Sequence, residues 1–159
     1  QLAFADAVLR MGRGPAADPV VRLAARAGKP VFDAIAAPRD PGRLAGRRFL
    51  AFAGIGHPEK FFATLRETDA EIVVERAFGD HHPYTQWQLR DLMAEARAAR
   101  LELVTTAKDA VRRGGMPPPP GFGQLRAILQ IDAFFDPPQA PARMIGEALS
   151  AFRRRRSGS

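Results

Sequence analysis

The chain has no cysteine, which excludes a disulfide framework and any thiolate metal site and suits a reducing compartment, the cytoplasmic side by default. It also lacks a run of about 18 apolar residues, the length a membrane-spanning helix needs. Its first residues do not show the charged, apolar and small-residue regions of a signal peptide in order, so no membrane span is expected. Only three histidines occur, with no repeated ligand spacing, and no metal ligands are assigned. Lysine is scarce too, with three residues among 24 cations. There is no internal repeat.

What is present reads as globular. The 159 residues, 46% hydrophobic and 26% charged, suffice for one domain with a core, or one domain and part of a neighbour. Net charge is +7, and residues 81–159 carry most of it, with 12 basic against 7 acidic side chains. Such an excess attracts polyanions: nucleic acid, anionic lipid or phosphorylated substrates. Most phenylalanines fall in expected strands or helix stripes rather than among basic residues on an exposed face, so nucleic acid is not expected as a partner. From Leu2 to Met11 the chain already reads as a strand-like apolar run directly behind Gln1, which leads us to expect a truncated sequence.

Apolar runs of strand length alternate with helical patterns, which predicts an α/β fold with a largely parallel sheet and flanking helices. Strands are expected at Ala3–Leu9, Pro30–Ala34, Phe49–Gly54, Glu71–Phe78, Leu101–Thr105 and Leu125–Ala133. Those at Phe49 and Ile72 are nearly continuous in apolar residues, as for strands covered on both faces. Helices are expected at Asp18–Ala27, Pro58–Thr68, Gln86–Ala99 and Pro141–Arg154. Thr85 with Gln88 forms a capping-box pattern, and Tyr84 with Leu89 a hydrophobic staple. Pro58 and Glu59 suit a helix start, with Phe61, Phe62 and Leu65 as its buried stripe. The loop Pro38–Arg48 suits a linker, and Pro117–Pro120, in the proline-rich stretch Gly114–Gly123, suits a semi-rigid spacer.

Four stretches could carry chemistry. Gly54-Ile55-Gly56-His57-Pro58 leads from a buried strand into a helix and could hold an anion or be a tight turn; it lacks the full dinucleotide and P-loop signatures. Asp80-His81-His82 follows a strand at the sheet end where ligands bind, and a carboxylate beside an imidazole suits proton transfer or charge stabilisation. Its plain alternative is a capped turn with exposed histidines. Thr105-Thr106-Ala107-Lys108-Asp109 offers Lys108 to a phosphate and Asp109 to a hydroxyl or metal, unless Thr-x-x-Asp only caps a helix. Met144, Ile145, Ala148, Leu149 and Phe152 share a helical face ahead of Arg153–Arg156, fit for an anionic membrane surface or for packing on the sheet.

In sequence, Ala51 to Phe62, Phe78 to Tyr84 and Thr105 to Arg112 resemble successive blocks of the C-terminal half of tetraacyldisaccharide 4'-kinases. The resemblance implies a Rossmann-like C-terminal domain of a P-loop-type kinase, with residues 1–45 a remnant of the preceding nucleotide-binding domain and linker, and 46–159 the C-terminal domain. It implies transfer of the ATP γ-phosphate to the 4'-hydroxyl of a tetraacyldisaccharide 1-phosphate, in lipid A synthesis at the cytoplasmic face of the bacterial inner membrane. ATP and Mg²⁺ would be bound mainly by an N-terminal P-loop domain, over which this part closes. His81 would be catalytic, oriented by Asp80; Lys108 and Asp109 would be cofactor-binding, and His82 is not fixed by the family pattern. The chain holds neither Gly-x-x-x-x-Gly-Lys-Ser/Thr nor Asp-Asp-Gly-Phe, so alone it is expected to be inactive. Gly79 stands where proline is common, and Ala107 where glutamate is. Two other readings stay in view: a basic module that binds anionic lipid without catalysis, and a metal-dependent phosphoesterase built on Asp80-His81-His82. The latter would need aspartates on neighbouring strand ends, which Gly54 and Thr105 do not supply.

Overall fold

The computed structural model describes residues 4–12, 14–112, 117–124 and 126–157. The expected strand positions Ala3 and Leu125 and the loop positions 114–116 lie outside the described residues. In chain order the elements are β1 (Val8–Met11), α1 (Asp18–Arg26), β2 (Val31–Pro38), β3 (Arg48–Ala53), α2 (Pro58–Arg66), β4 (Glu71–Ala77), α3 (Gln86–Ala98), β5 (Glu102–Thr106), α4 (Ala107–Val111), β6 (Arg126–Leu129), β7 (Ile131–Asp136) and α5 (Ala140–Ser157). The fold is α/β. Two compact units form, Pro38–Ile131 and Gln1–Ala37 with Asp132–Ser159.

The unit Pro38–Ile131 is built on an all-parallel sheet in the order β4-β3-β5-β6. Strand β3 is buried from Phe49 to Ala53, and alternate side chains go to opposite faces. Phe49, Ala51 and Ala53 pack with Phe61, Phe62 and Leu65 of α2. Leu50 and Phe52 pack with Leu89, Leu92, Met93 and Ala96 of α3. One helix therefore covers each face, and each fully buried Phe or Leu contributes about 1.5–3 kcal/mol. The helix starts follow the expected chemistry: Pro58 opens α2 with Glu59 in its first turn, and Thr85 with Gln88 forms the capping box of α3.

Strand β4 corrects the expectation of double coverage. It is a sheet edge paired with β3 alone, and the register slips so that Phe49 faces Ile72 while Leu50 faces Val74. The extra residue, Val73, is 43% exposed. A bulge sends the flanking side chains to opposite faces: Ile72 packs with the α2 cluster and Val74 with the α3 cluster. The unbroken apolar run at Ile72 thus reflects a bulge.

A second correction concerns Leu125–Ala133, expected as one strand. The chain breaks at Gln130 into β6, in the four-stranded sheet, and β7, in a three-stranded one. Gln130 is held there by Arg39, whose backbone N–H donates to its carbonyl at 2.9 Å and whose guanidinium donates to its side-chain oxygen at 3.1 Å. Nothing local in Leu-Gln-Ile marks a turn, so the apolar run reads on through. The expected linker is pinned by Leu44, 5% exposed and part of the α2 cluster.

In the other unit β2 lies between β1 and β7. β1 and β2 pair in parallel with Arg10 opposite Asp33, and these side chains form a bidentate ion pair at 2.6 and 2.9 Å. Phe32, Ala34, Ala24 and Ala140 are buried, while Val20, Leu23, Phe134, Ile145, Leu149 and Phe152 remain exposed.

At the start of the parallel sheet Arg47 forms a bidentate pair with Glu102, Nε donating to Oε1 at 2.9 Å. That hydrogen bond, with the guanidinium charge, holds the Glu102 carboxyl below its ordinary range. A carboxyl lowered in this way stabilises the fold above its unfolded pKa and loses the contribution as pH falls through the lowered value. The side chains are 40% and 44% exposed, so screening limits the pair to about 1 kcal/mol at most. Glu102→Gln should lower the urea midpoint at about pH 7, and the difference from wild type should shrink progressively as pH falls below about 4. A difference that stays constant down to about pH 3 would exclude this linkage.

Candidate active site at the switch point of the sheet

From β3 the chain crosses through α2 to β4 on one side, then through α3 to β5 on the other. The strand order therefore reverses between β3 and β5. In open parallel sheets the crevice outside the carboxyl ends of the strands at such a point is where ligands bind. Three loops meet at this edge: Gly54–His57 after β3, Phe78–Thr85 after β4, and Thr106 leading into α4.

Gly54 ties them together. Its N–H donates to Asp109 Oδ2 at 3.1 Å, and its carbonyl accepts from the His81 N–H at 3.1 Å and from Arg112 Nη1 at 2.8 Å. Asp109 is 4% exposed. Its Oδ2 also accepts from the Thr106 hydroxyl at 2.8 Å, whose oxygen in turn accepts from the Asp109 N–H at 3.1 Å and caps α4. Arg112 lies 3.5 Å from Oδ1. A buried carboxylate is tolerable only with this kind of neutralisation. Position 54 must be glycine for packing reasons: a Cβ there would lie 2.9 Å from Tyr84 Oη, 3.1 Å from His82 Cβ and 3.4 Å from Asp109 Oδ1.

Asp80 and His81, expected as the catalytic pair, sit on the adjoining turn. His81 adopts the left-handed conformation, with φ of 58°, held by its N–H bonds to Gly54 and to Asp80 Oδ1, the latter at 2.9 Å. Asp80 Oδ2 lies 3.8 Å from His81 Nε2, and the two side chains are 55% and 79% exposed. The Asp80 carboxylate also closes over Gly56, where a Cβ would stand 3.4 Å from Oδ2.

His82, left open by the sequence, points the other way. It stacks on Phe78 with ring centroids 4.9 Å apart, meets Tyr84 edge-on at 5.2 Å, and has Nε2 3.1 Å from Gln88 Oε1. His57 pairs with Glu59 at 2.9 Å. Lys108 and Asp109, expected together as cofactor-binding, diverge as neighbours on a helix must: Asp109 is buried under Gly54, and Lys108 is exposed. Among the described residues no group of three His, Asp or Glu could hold a metal ion.

Two features escaped the sequence reading. Arg112 braces the Gly54 carbonyl, and its position three residues beyond Asp109 was the available signal for an ion pair on one helical turn. Tyr84 is 2% exposed, yet its hydroxyl has no hydrogen-bond partner among the described residues. Burial, and then the Asp109 charge, push its phenol far above the usual range.

Against known proteins, the family model described as tetraacyldisaccharide-1-P 4'-kinase matches residues 1–149. A protein of Mesorhizobium japonicum named tetraacyldisaccharide 4'-kinase is 52% identical over 98% of this chain and 46% of its own length. Proteins of the same name from Chelativorans sp. and Brucella melitensis are 49% and 41% identical, over 98% and 99% of this chain and 46% and 47% of their own lengths. The chain thus spans about half the length of the curated relatives it matches. No solved structure matches it.

The crowding at Gly54 makes two expectations. Asp109→Ala, which strips the acceptor from Gly54 and strands Arg112, should cost about 3 kcal/mol in urea unfolding. Gly54→Ala should cost about 1–3 kcal/mol, whereas Tyr84→Phe, which removes a partnerless buried hydroxyl, should be neutral or stabilising and should recover part of the Gly54→Ala loss in the double variant. Strictly additive effects would mean that the Tyr84 hydroxyl is not what the new Cβ meets.

Proposed function

The chain belongs to the tetraacyldisaccharide-1-P 4'-kinase family, and on that premise we propose that it is the C-terminal portion of an ATP-dependent lipid A 4'-kinase. The enzyme would transfer the ATP γ-phosphate to the 4'-hydroxyl of a tetraacyldisaccharide 1-phosphate. The observation that carries this reading is the Asp80–His81 pair, an exposed imidazole on a backbone fixed by Gly54 at the switch point of a parallel sheet.

Phosphoryl transfer depends mainly on positioning and electrostatics. A histidine carried on a rigid turn can therefore complete a site when one domain closes over another. Imidazole titrates near neutral pH; neutral, it can accept the proton of the attacking hydroxyl, and protonated, it can offset charge on the transferring group. Asp80 Oδ2, 3.8 Å from Nε2, biases the orientation of the ring. In this reading ATP and Mg²⁺ are bound mainly by a preceding P-loop half, where the metal would neutralise phosphate charge when bound. Asp109, as a buried brace, would support the site from behind.

Two features of the other unit support a longer enzyme. Val20, Leu23 and Phe134 are large apolar side chains left 46–54% exposed. In this reading residues 1–45 belong to the preceding nucleotide-binding domain and linker, and the rest of that domain would cover these side chains. The exposed Arg153, Arg154 and Arg156 at the end of α5 suit peripheral contact with the anionic cytoplasmic face of the inner membrane, at about 1 kcal/mol per cation near the lipid.

The test compares this chain with a full-length protein carrying both halves. The chain alone should not turn over ATP with the lipid acceptor. In the full-length protein His81→Asn should lower kcat by about 10²–10⁴-fold with little change in KM for ATP. Turnover by the chain alone, or an unaltered kcat in the variant, would sink the reading.

A further inference from the structure

On the α2 face of the sheet, at the carboxyl ends of β3 and β5, lies a cavity of about 370 Å³. Ile55 after β3, Phe61 of α2, Leu129 of β6 and Ile131 make its apolar walls, with Thr64, Thr106 and Ala107 completing the lining. It opens between the loop after β3 and the loop after β5, the two strands that flank the switch point, where such sheets take their ligands. Its size is at the small end of ligand cavities, roughly 300–1,000 Å³. One chain or one small ring system fits; a disaccharide with its acyl groups does not.

Lys60 and Lys108 also line this cavity, and they are two of only three lysines in the chain. In the same unit Arg47, Arg48, Arg66, Arg76 and Arg112 are in salt bridges, while Arg90 and Arg97 are in none of those five. Lys60 and Lys108 enter none among the described residues, and both are exposed. The cavity therefore combines an apolar interior with two ammonium groups on flexible stems, which suit a phosphate as point charges rather than as a planar fork. A nucleotide base would ask for donors and acceptors along a flat edge. Here the walls are aliphatic and aromatic, and of the two threonine hydroxyls that of Thr106 is held by Asp109 at 2.8 Å.

We infer that this cavity binds a phosphorylated amphiphile, with an alkyl chain against Ile55, Phe61 and Leu129 and the phosphate between Lys60 and Lys108. The inference deepens the kinase reading, and to that extent rests on it, by giving part of a phosphorylated lipid acceptor a seat at the carboxyl edge of the same sheet. It also assigns Lys108 to the lipid side of the reaction instead of the nucleotide side.

The experiment is a titration of the 159-residue chain with monododecyl phosphate below its micelle concentration, followed by amide NMR. Inorganic phosphate, dodecyl maltoside and AMP serve as the comparison probes. Saturable shifts confined to Ile55, Thr64, Lys108 and their neighbours are expected with the alkyl phosphate. They should weaken about tenfold or more in Lys60→Gln/Lys108→Gln and disappear when Thr64→Trp fills the cavity, in variants whose remaining spectrum is unchanged. Equal binding of dodecyl maltoside would overturn the role of the lysines, displacement by AMP would make the cavity a nucleotide site, and no localised shift would remove it altogether. Because the readout is binding to this chain, failure here leaves phosphoryl transfer by the full-length protein standing. A failed kinase assay likewise leaves the cavity result intact.

Discussion

The arrangement at the sheet's carboxyl edge depends on a single buried carboxylate. Asp109 accepts from the Gly54 N–H and the Thr106 hydroxyl while Arg112 balances its charge. An unpaired carboxylate in that position would be untenable, so the ends of β3 and β5 are locked in one relative position. The Gly54 carbonyl carries the constraint onward to His81, whose left-handed backbone would otherwise be a costly conformation for a residue with a Cβ.

A division of labour follows from that lock. The polar groups that build the edge are buried and mutually satisfied, whereas those able to meet a ligand, the His81 imidazole, the Asp80 carboxylate and the Lys60 and Lys108 ammonium groups, are exposed. The adjacent histidines show the contrast at closest range: His82 is packed between Phe78 and Tyr84, and His81 faces outward. A fixed scaffold presenting a few exposed polar groups is what a site completed by a second domain requires.

Much of this was legible because the signals were local. The capping box at Thr85 and Gln88, the proline start of α2 and the stripe Phe61, Phe62 and Leu65 rest on spacings of three or four residues, and a helix enforces those spacings wherever it forms. The parallel sheet was legible from the alternation of apolar runs with helices. The three loops that meet at the switch point could be singled out in advance because each follows an apolar run of strand length. The bulge at Val73 and the break at Gln130 were not legible. Each depends on a partner distant in sequence, β3 in the first case and Arg39 in the second, and an apolar run looks the same whether or not such a partner exists.

By itself, the sequence determined the α/β class, the helix starts and the residue types available at each strand end, since these follow from periodicity, capping and composition. Tertiary structure alone decided which of those residues share a site and which way each one faces. Asp109 became a buried brace and Lys108 a cavity wall although they are neighbours in the chain, because one helical step separates inward from outward and only the packed sheet defines what lies on either side.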